Sequence, residues 1–261
     1  MDASLWIAKT GLDAQQTRMS VIANNLANVN THGFKRDRAL FEDLLYQNIQ
    51  QPGGQVTADT QSPTGMMVGT GTRVVATEKT HTQGNLITTG NALDLAVQGD
   101  GFFQIQMNDG TIAYTRDGGF KVSATGQIVT SAGNPLLPNV TLPANAATLT
   151  IGRDGTITAE LSNGGGAQNL GQIQVARFIN PAGLQSMGGN LLKETPASGT
   201  PQLQVPGEGG AGSVMQGTLE ASNVNVVEEM VNMIETQRAY EINSKAISSV
   251  DGMLRYLNNN M

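Results

Sequence analysis

Residues 4–29 read SLWIAKTGLDAQQTRMSVIANNLANV, and their periodicity decides how the chain is built. Leu5, Leu12, Met19 and Leu26 recur every seven residues, with Ala8, Ile22 and Val29 three residues after members of that series. Alternating three- and four-residue spacing is the a/d seam of a coiled coil, so a helix is predicted over residues 3–29. It would be about 40 Å long at roughly 1.5 Å per residue. Gly11 weakens it by about 1 kcal/mol relative to alanine. Asn28, Asn30 and Gly33, which tolerate left-handed backbone, mark its end. The far end of the chain repeats the pattern in Val226, Met230, Met233, Gln237, Tyr240, Ser244, Ile247, Asp251 and Leu254. Ser222 or Asn223 is expected to cap that helix, with Glu228 and Glu229 at the positive end of its dipole. Neither narrow seam can be buried by its own helix. The two are expected to pair with each other, or with copies from other subunits, and an isolated chain should have frayed ends.

Working inward, residues 47–72 are poor in apolar side chains and rich in Gln, Thr, Gly and Pro, which predicts an extended or flexible segment. From about 73 to 218 the pattern becomes β. Apolar alternation at 72–77, 93–97, 102–107, 127–130, 148–151 and 172–178 is punctuated by Asp109-Gly110, Asp117-Gly118, Thr125-Gly126, Gly133-Asn134, Asp154-Gly155 and Asn163-Gly164. That spacing predicts short antiparallel strands in a meander. Residues 197–213, rich in Pro and Gly, are expected to loop back to the last helix. The fold class is therefore α+β: N- and C-terminal coiled-coil-like helices pairing around a polymer core, plus a central, mainly antiparallel β domain. The expected segments are 1–33 (helix), 34–72 (extended linker and polar stretch), 73–221 (β domain) and 222–261 (helix).

Composition narrows the function. Only 14% of the 261 residues are charged, and uncharged amides and hydroxyls take their place. Such a surface is buried against neighbours at lower desolvation cost than a Lys/Glu surface. A net charge of −6 without a basic cluster argues against nucleic acid as a partner. The absence of cysteine removes disulfides, thiolate chemistry and cysteine metal sites. No secretory h-region is visible in residues 1–20 and no run is long enough for membrane insertion. Taken plainly, this predicts a cytoplasmic protein. The two histidines, His32 and His81, form no H-E-x-x-H pattern and are expected in a turn and in an exposed strand or loop. Gly99-Asp100-Gly101 lacks the third glycine of a dinucleotide fingerprint, and residues 163–166 lack the Lys-Ser/Thr of a phosphate loop. The Asp-Gly pairs lack EF-hand spacing, and no carboxylate pair stands out as glycosidase machinery. No catalytic, cofactor or metal residues are assigned, and the chain is not expected to be an enzyme.

Ser4 to Gln16, Ile22-Ala23-Asn24-Asn25-Leu26-Ala27-Asn28-Val29 and Thr31-His32-Gly33-Phe34-Lys35 closely resemble the N-terminal signature of flagellar rod and hook proteins. Ser222-Asn223-Val224-Asn225 through Met230-Val231, and Gln237-Arg238-Ala239-Tyr240-Glu241, resemble their C-terminal signature. Thr82 to Leu86, Gly99 to Phe103 and Tyr114 to Gly118 are similar to motifs of the middle. Within the family, the length and the segment Phe41-Glu42-Asp43-Leu44-Leu45-Tyr46 with the polar stretch after it fit the distal rod best. Hook proteins are usually longer. The resemblance implies a structural subunit exported without a cleaved signal, which reverses the cytoplasmic expectation. It implies helical assembly into a hollow, periplasm-spanning shaft that transmits torque. The implied partners are further copies, proximal rod proteins, the hook protein, and the peptidoglycan and outer-membrane rings as a bushing. The expected assembly interface is Leu5, Leu12, Met19, Ile22, Leu26, Val29, Val226, Met230, Met233, Gln237, Tyr240, Ile247 and Leu254. Asn24, Asn25, Asn28, Gly33, Phe34 and Lys35 carry the family signature. Hook or proximal rod is the alternative within the family, and a wall-associated enzyme or adhesin the alternative outside it.

Overall fold

The chain folds as two units in a computed structural model that describes residues 3–53, 55–57, 60–61, 64–143, 145–162 and 166–259. One unit draws on Met1–Ala27, Asp37–Glu78 and Asn225–Met261, and the other on Asn28–Arg36 and Lys79–Val224.

The first unit is built on the two terminal helices, α1 (Ala3–Ala27) and α2 (Val226–Asn259), which pack on each other. α1 also packs on the strand Asp37–Asp43, which pairs with Thr72–Lys79. Between those strands the polar stretch is not a bare linker. Gln47–Gln50 pairs antiparallel with Met66–Val68, and Gln55–Thr57 with Thr60–Gln61. Gly71, at φ 115°, passes so close to α1 that a Cβ there would overlap the Thr10 hydroxyl, which accepts a hydrogen bond from the Thr72 N–H.

The second unit is β-rich, because its apolar residues alternate over runs too short for helix and are separated by turn residues. An antiparallel sheet runs, in spatial order, Leu136–Leu137, Phe103–Gln106, Ile112–Thr115, Leu191–Lys193 and Gln185–Gly188. A second consists of Ala146–Ile151, Thr156–Leu161 and Ala167–Gln172. Leu95, Val97, Phe103, Ile105, Phe120, Ile157, Ile173, Val175 and Val214 are buried together between such pairings. Phe102, Tyr114, Phe178 and Leu192 form a smaller aromatic cluster. The Asp-Gly-Thr triplets at 109–111 and 154–156 turn two hairpins the same way. Each aspartate accepts from the threonine N–H and hydroxyl two residues on, which holds its carboxyl below the usual range.

Several expectations are corrected. The run 172–178 is not one strand. Gln172 ends a pairing with Thr156, the Ile173 N–H then donates to Gly155, and Val175–Arg177 pairs instead with Gln202–Gln204. The latter strand lies within residues 197–213, expected as loop alone. Leu191–Lys193, far along the chain, pairs beside Ile112–Thr115, so the sheet is not a simple meander. Asp117-Gly118 turns no hairpin. Gly118 is there because any Cβ would strike the Leu95 carbonyl. The Asn163-Gly164 turn lies outside the described residues.

Candidate assembly interface

Each side chain of the expected interface takes a definite place, all but Val29 within the helical unit. On α1, Ile22 is buried, and Leu5, Leu12, Met19 and Leu26 are half-buried. Val29 lies just past the helix, half-buried. On α2, Met233 and Ile247 are half-buried, while Val226, Met230, Gln237, Tyr240 and Leu254 are exposed. The covered face of α2 is largely polar or small: Glu229 and Thr236 are 2% and 0% exposed, and Asn232, Ala239 and Asn243 are half-buried. Thr236 satisfies its hydroxyl on the Asn232 carbonyl at 2.7 Å. Gly11 faces Asn243, whose Nδ2 would lie 3.1 Å from an added Cβ, so the glycine that weakens α1 also makes room for the partner helix.

The apolar stripe of α2 is left outside this pairing. Val227 is 70% exposed, Met230 51% and Ile242 67%, with Val226, Val231 and Ile234 also exposed. On α1, Trp6 and Ile7 are exposed in the same unit. Scattered apolar residues on a surface are ordinary, whereas the six on α2 lie along one helix.

The cap of α2 is Asn225, not Ser222 or Asn223. Its Oδ1 accepts from the Val227 N–H at 3.1 Å and faces that of Glu228 at 3.5 Å. Asn223 is engaged elsewhere. Its Oδ1 accepts from the Arg36 N–H at 2.7 Å, and its Nδ2 donates to the Thr80 and Thr82 carbonyls.

The signature residues fix the roots of the helices. Asn25, 1% exposed, exchanges two hydrogen bonds with the Asp37 backbone at 2.8 and 2.9 Å, stapling the end of α1 to the first strand of its unit. Asn24 is exposed; Asn28 accepts from Thr31 through both its carbonyl and its side chain. In the β unit, Gly33 at φ 71° donates its N–H to the Glu220 carbonyl, and a Cβ there would sit 2.5 Å from the Asp117 nitrogen. Phe34 is buried under the Lys79 ammonium, 5.1 Å from the ring centre. Lys35, 4% exposed, meets Glu220 Oε1 at 2.5 Å and donates to the Thr82 carbonyl at 2.7 Å. Burial pulls the Lys35 pKa down, and Glu220 opposes it. The other Glu220 oxygen takes Arg116 Nη1 at 3.3 Å, and Gly84 N–H donates to Oε1. Sequence reasoning singled out neither Glu220 nor Arg116, and took Asn223 only as a candidate cap. Their one signal is that Arg116 and Asn223 stand inside quoted motifs.

The histidines divide. His32 is exposed, and its carbonyl accepts from Asn190. His81 is not an exposed strand or loop residue. It packs edge-on against Phe102 at 5.5 Å, and neither ring nitrogen makes a well-formed hydrogen bond. Burial first, then Lys35, Arg116 and Lys79, push its pKa down to about 4.

Two terminal helices that pack on each other and leave an apolar stripe exposed, together with a β-rich unit that holds no metal-binding cluster among the described residues, are the build of a structural subunit. Comparison with known proteins says which kind. Residues 5–35 match the family described as flagella basal body rod protein. Residues 96–159 match the flagellar hook protein FlgE/F/G D1 domain, and 215–260 the C-terminal part of the flagellar basal body rod FlgEFG protein. The flagellar basal-body rod protein FlgG of Buchnera aphidicola subsp. Acyrthosiphon pisum is 53% identical, over 98% of this chain and 99% of its own. From one organism, Caulobacter vibrioides, FlgG is 46% identical (97% of each chain) and FlgF 34% (98% of this chain, 96% of that). The chain belongs to the flagellar basal-body rod protein family, and its likeness is greater to the FlgG members. The expectation of a structural subunit of the flagellar distal rod is met by these relatives. No helix among the described residues is long and apolar enough to cross a membrane.

Proposed function

We propose that this chain polymerises helically through the outward faces of α1 and α2, making a stiff shaft that carries torque to the hook. The observation that carries this reading is the stripe of Val227, Met230, Val231 and Ile234, which stays in solvent although α1 and α2 already pack together. Each such side chain, once covered, contributes about 1–2 kcal/mol. A stripe repeated in every copy gives a strong interface without needing salt bridges. Replacing Ile234 with Asp tests it. The monomer should keep its circular dichroism and unfolding midpoint, while the concentration needed for polymer should rise about tenfold or more, as 1.4 kcal/mol or more of contact is lost. Unaltered polymerisation would contradict the reading.

Residues 47–72 act as a brace in this reading. Ile49, Met66 and Met67 are exposed on them, with Leu45 and Tyr46 exposed just before, an apolar surface that an extended segment can lay across neighbouring subunits. In this reading the shaft spans the periplasm after export without a cleaved signal. It joins proximal rod proteins to the hook and turns within the peptidoglycan and outer-membrane rings. It does no catalysis, and a peptidoglycan-release assay on the purified chain should stay at background.

A further inference from the structure

We propose that the cleft beside Phe102 and Phe178 is a binding site for a carboxylate on a short apolar stem, held by Arg177 and linked to a proton on His81.

The cleft lies wholly within the β unit and measures about 160 Å³, lined by His81, Asp100, Phe102, Arg116, Arg177 and Phe178 among others. Of three buried nitrogens next to it, Arg116 Nε has no hydrogen-bond partner among the described residues, and His81 Nδ1 and Nε2 make no well-formed bond, the ring having only the Pro181 carbonyl near it. Arg116 is 4% exposed. Its other nitrogens are spent on the Val97 and Gly99 carbonyls and on Glu220, and its guanidinium lies 5.3 Å from the Phe102 ring centre. Buried polar atoms normally find partners, so under-satisfied nitrogens from two side chains beside one cavity mark a built site rather than idle space. Arg177, half-buried, is steadied by one bond from Nη1 to the Gly209 carbonyl at 3.3 Å.

Charge selects the ligand's sign. Arg116 and Arg177 line the cleft with Asp100, two cations against one anion, and Lys35 and Lys79 bear on His81 without lining it. That excess sits in a chain whose net charge is −6, so it repels metal cations and draws anions. Size and lining select the class. The volume is well below the roughly 300 Å³ at which drug-sized pockets begin. Phe102, Phe178 and Pro181 offer apolar wall to a methylene stem, which a bare sulfate would not use.

The proton follows from the same geometry. The groups facing His81 are Lys35, Lys79 and Arg116, the Phe102 ring and the Pro181 carbonyl. Only that carbonyl favours the charged ring, and burial with the three cations holds His81 neutral. A carboxylate entering the cleft reverses the local field and raises the affinity of His81 for its proton. By linkage, protonation raises the affinity for the carboxylate by the same factor.

The test uses the full chain with labelled histidine, following the His81 ring by NMR while propionate is added at fixed ionic strength, with sulfate as comparison. The expected result is a saturable shift at His81 at pH 7, where propionate is fully ionised, and a rise in the His81 pKa of about half a unit or more when propionate is saturating, a threefold coupling. Arg177→Gln should abolish the saturable shift while leaving the unfolding midpoint near wild type. No saturable change, or an unchanged one in Arg177→Gln, overturns the site; sulfate matching propionate overturns the carboxylate assignment. Sedimentation then separates the sources. Propionate that weakens self-association identifies an acidic side chain of a second copy, and unchanged self-association identifies a free small carboxylate.

Discussion

The buried triad of Lys35, Glu220 and Arg116 holds together residues 185 positions apart in the chain, and its energetics are those of charges with nowhere else to go. Both Glu220 oxygens are taken, and its residue is 1% exposed. Glu220→Gln removes the negative charge and leaves two buried cations facing each other, at a cost of about 3–5 kcal/mol. Urea unfolding should show it, with much of the loss recovered when Lys35→Met is added; a loss below 1 kcal/mol would mean the triad is not buried in solution. His81 gives the pH dependence. Its folded pKa, about 4, lies below the unfolded 6.5, so the unfolded chain takes up the proton first. Its contribution is complete above pH 6.5 and is lost as pH falls toward 4, in the limit about 3 kcal/mol. Unfolding midpoints measured from pH 7 to 4 should fall less steeply in His81→Gln. At this scale the sequence was only partly legible. Gly33 and Lys35 stood out within a motif, but nothing local to Glu220 marks it as their partner. A pairing made through tertiary burial leaves no periodic trace. His81, in a run of threonines and glutamine, looked exposed for the same reason.

At the scale of elements, the helices were readable because a seven-residue apolar repeat has one physical meaning. Which face of α2 packs within the chain was not. Periodicity marked Met230 and Tyr240, whereas the covered face centres on Glu229, Thr236 and Asn243. A pattern of apolar residues reports burial somewhere, and in a subunit that somewhere can be another copy. The strands of residues 73–218 were legible wherever an Asp-Gly or Thr-Gly turn joined neighbours. They were illegible where distant segments such as Leu191–Lys193 and Gln202–Gln204 supplied the partner. The polar ribbon at 47–72 hid its pairing because Gln and Thr carry no burial signal. The cap of α2 yields a prediction at this scale. Asn225→Ala leaves the Val227 N–H without its acceptor and should cost about 1 kcal/mol. Hydrogen exchange should quicken in the first turn of α2 and not at its centre; equal quickening along the helix would contradict the assignment of the cap.

For the molecule as a whole, the helical unit is assembled from both ends of the chain and the β unit from the middle plus residues 28–36. Limited proteolysis of the monomer should therefore yield a stable core that retains 28–36, beginning near residue 28 and ending near 224. A piece reduced to 79–224 would bury Glu220 without Lys35 and should unfold readily. Recovering that shorter piece as a stable product would count against the shared core. The outward stripe of α2 remains the feature on which the proposed polymer depends, and methionine oxidation reads it directly. Met230 and Met253 on α2 are 51% and 58% exposed, and Met187 in the β unit, 46% exposed, serves as the internal reference. With dilute peroxide and mass spectrometry, Met230 should oxidise several-fold more slowly in the polymer than in the monomer, relative to Met187. Equal rates for Met230 in the two states would contradict assembly through this face.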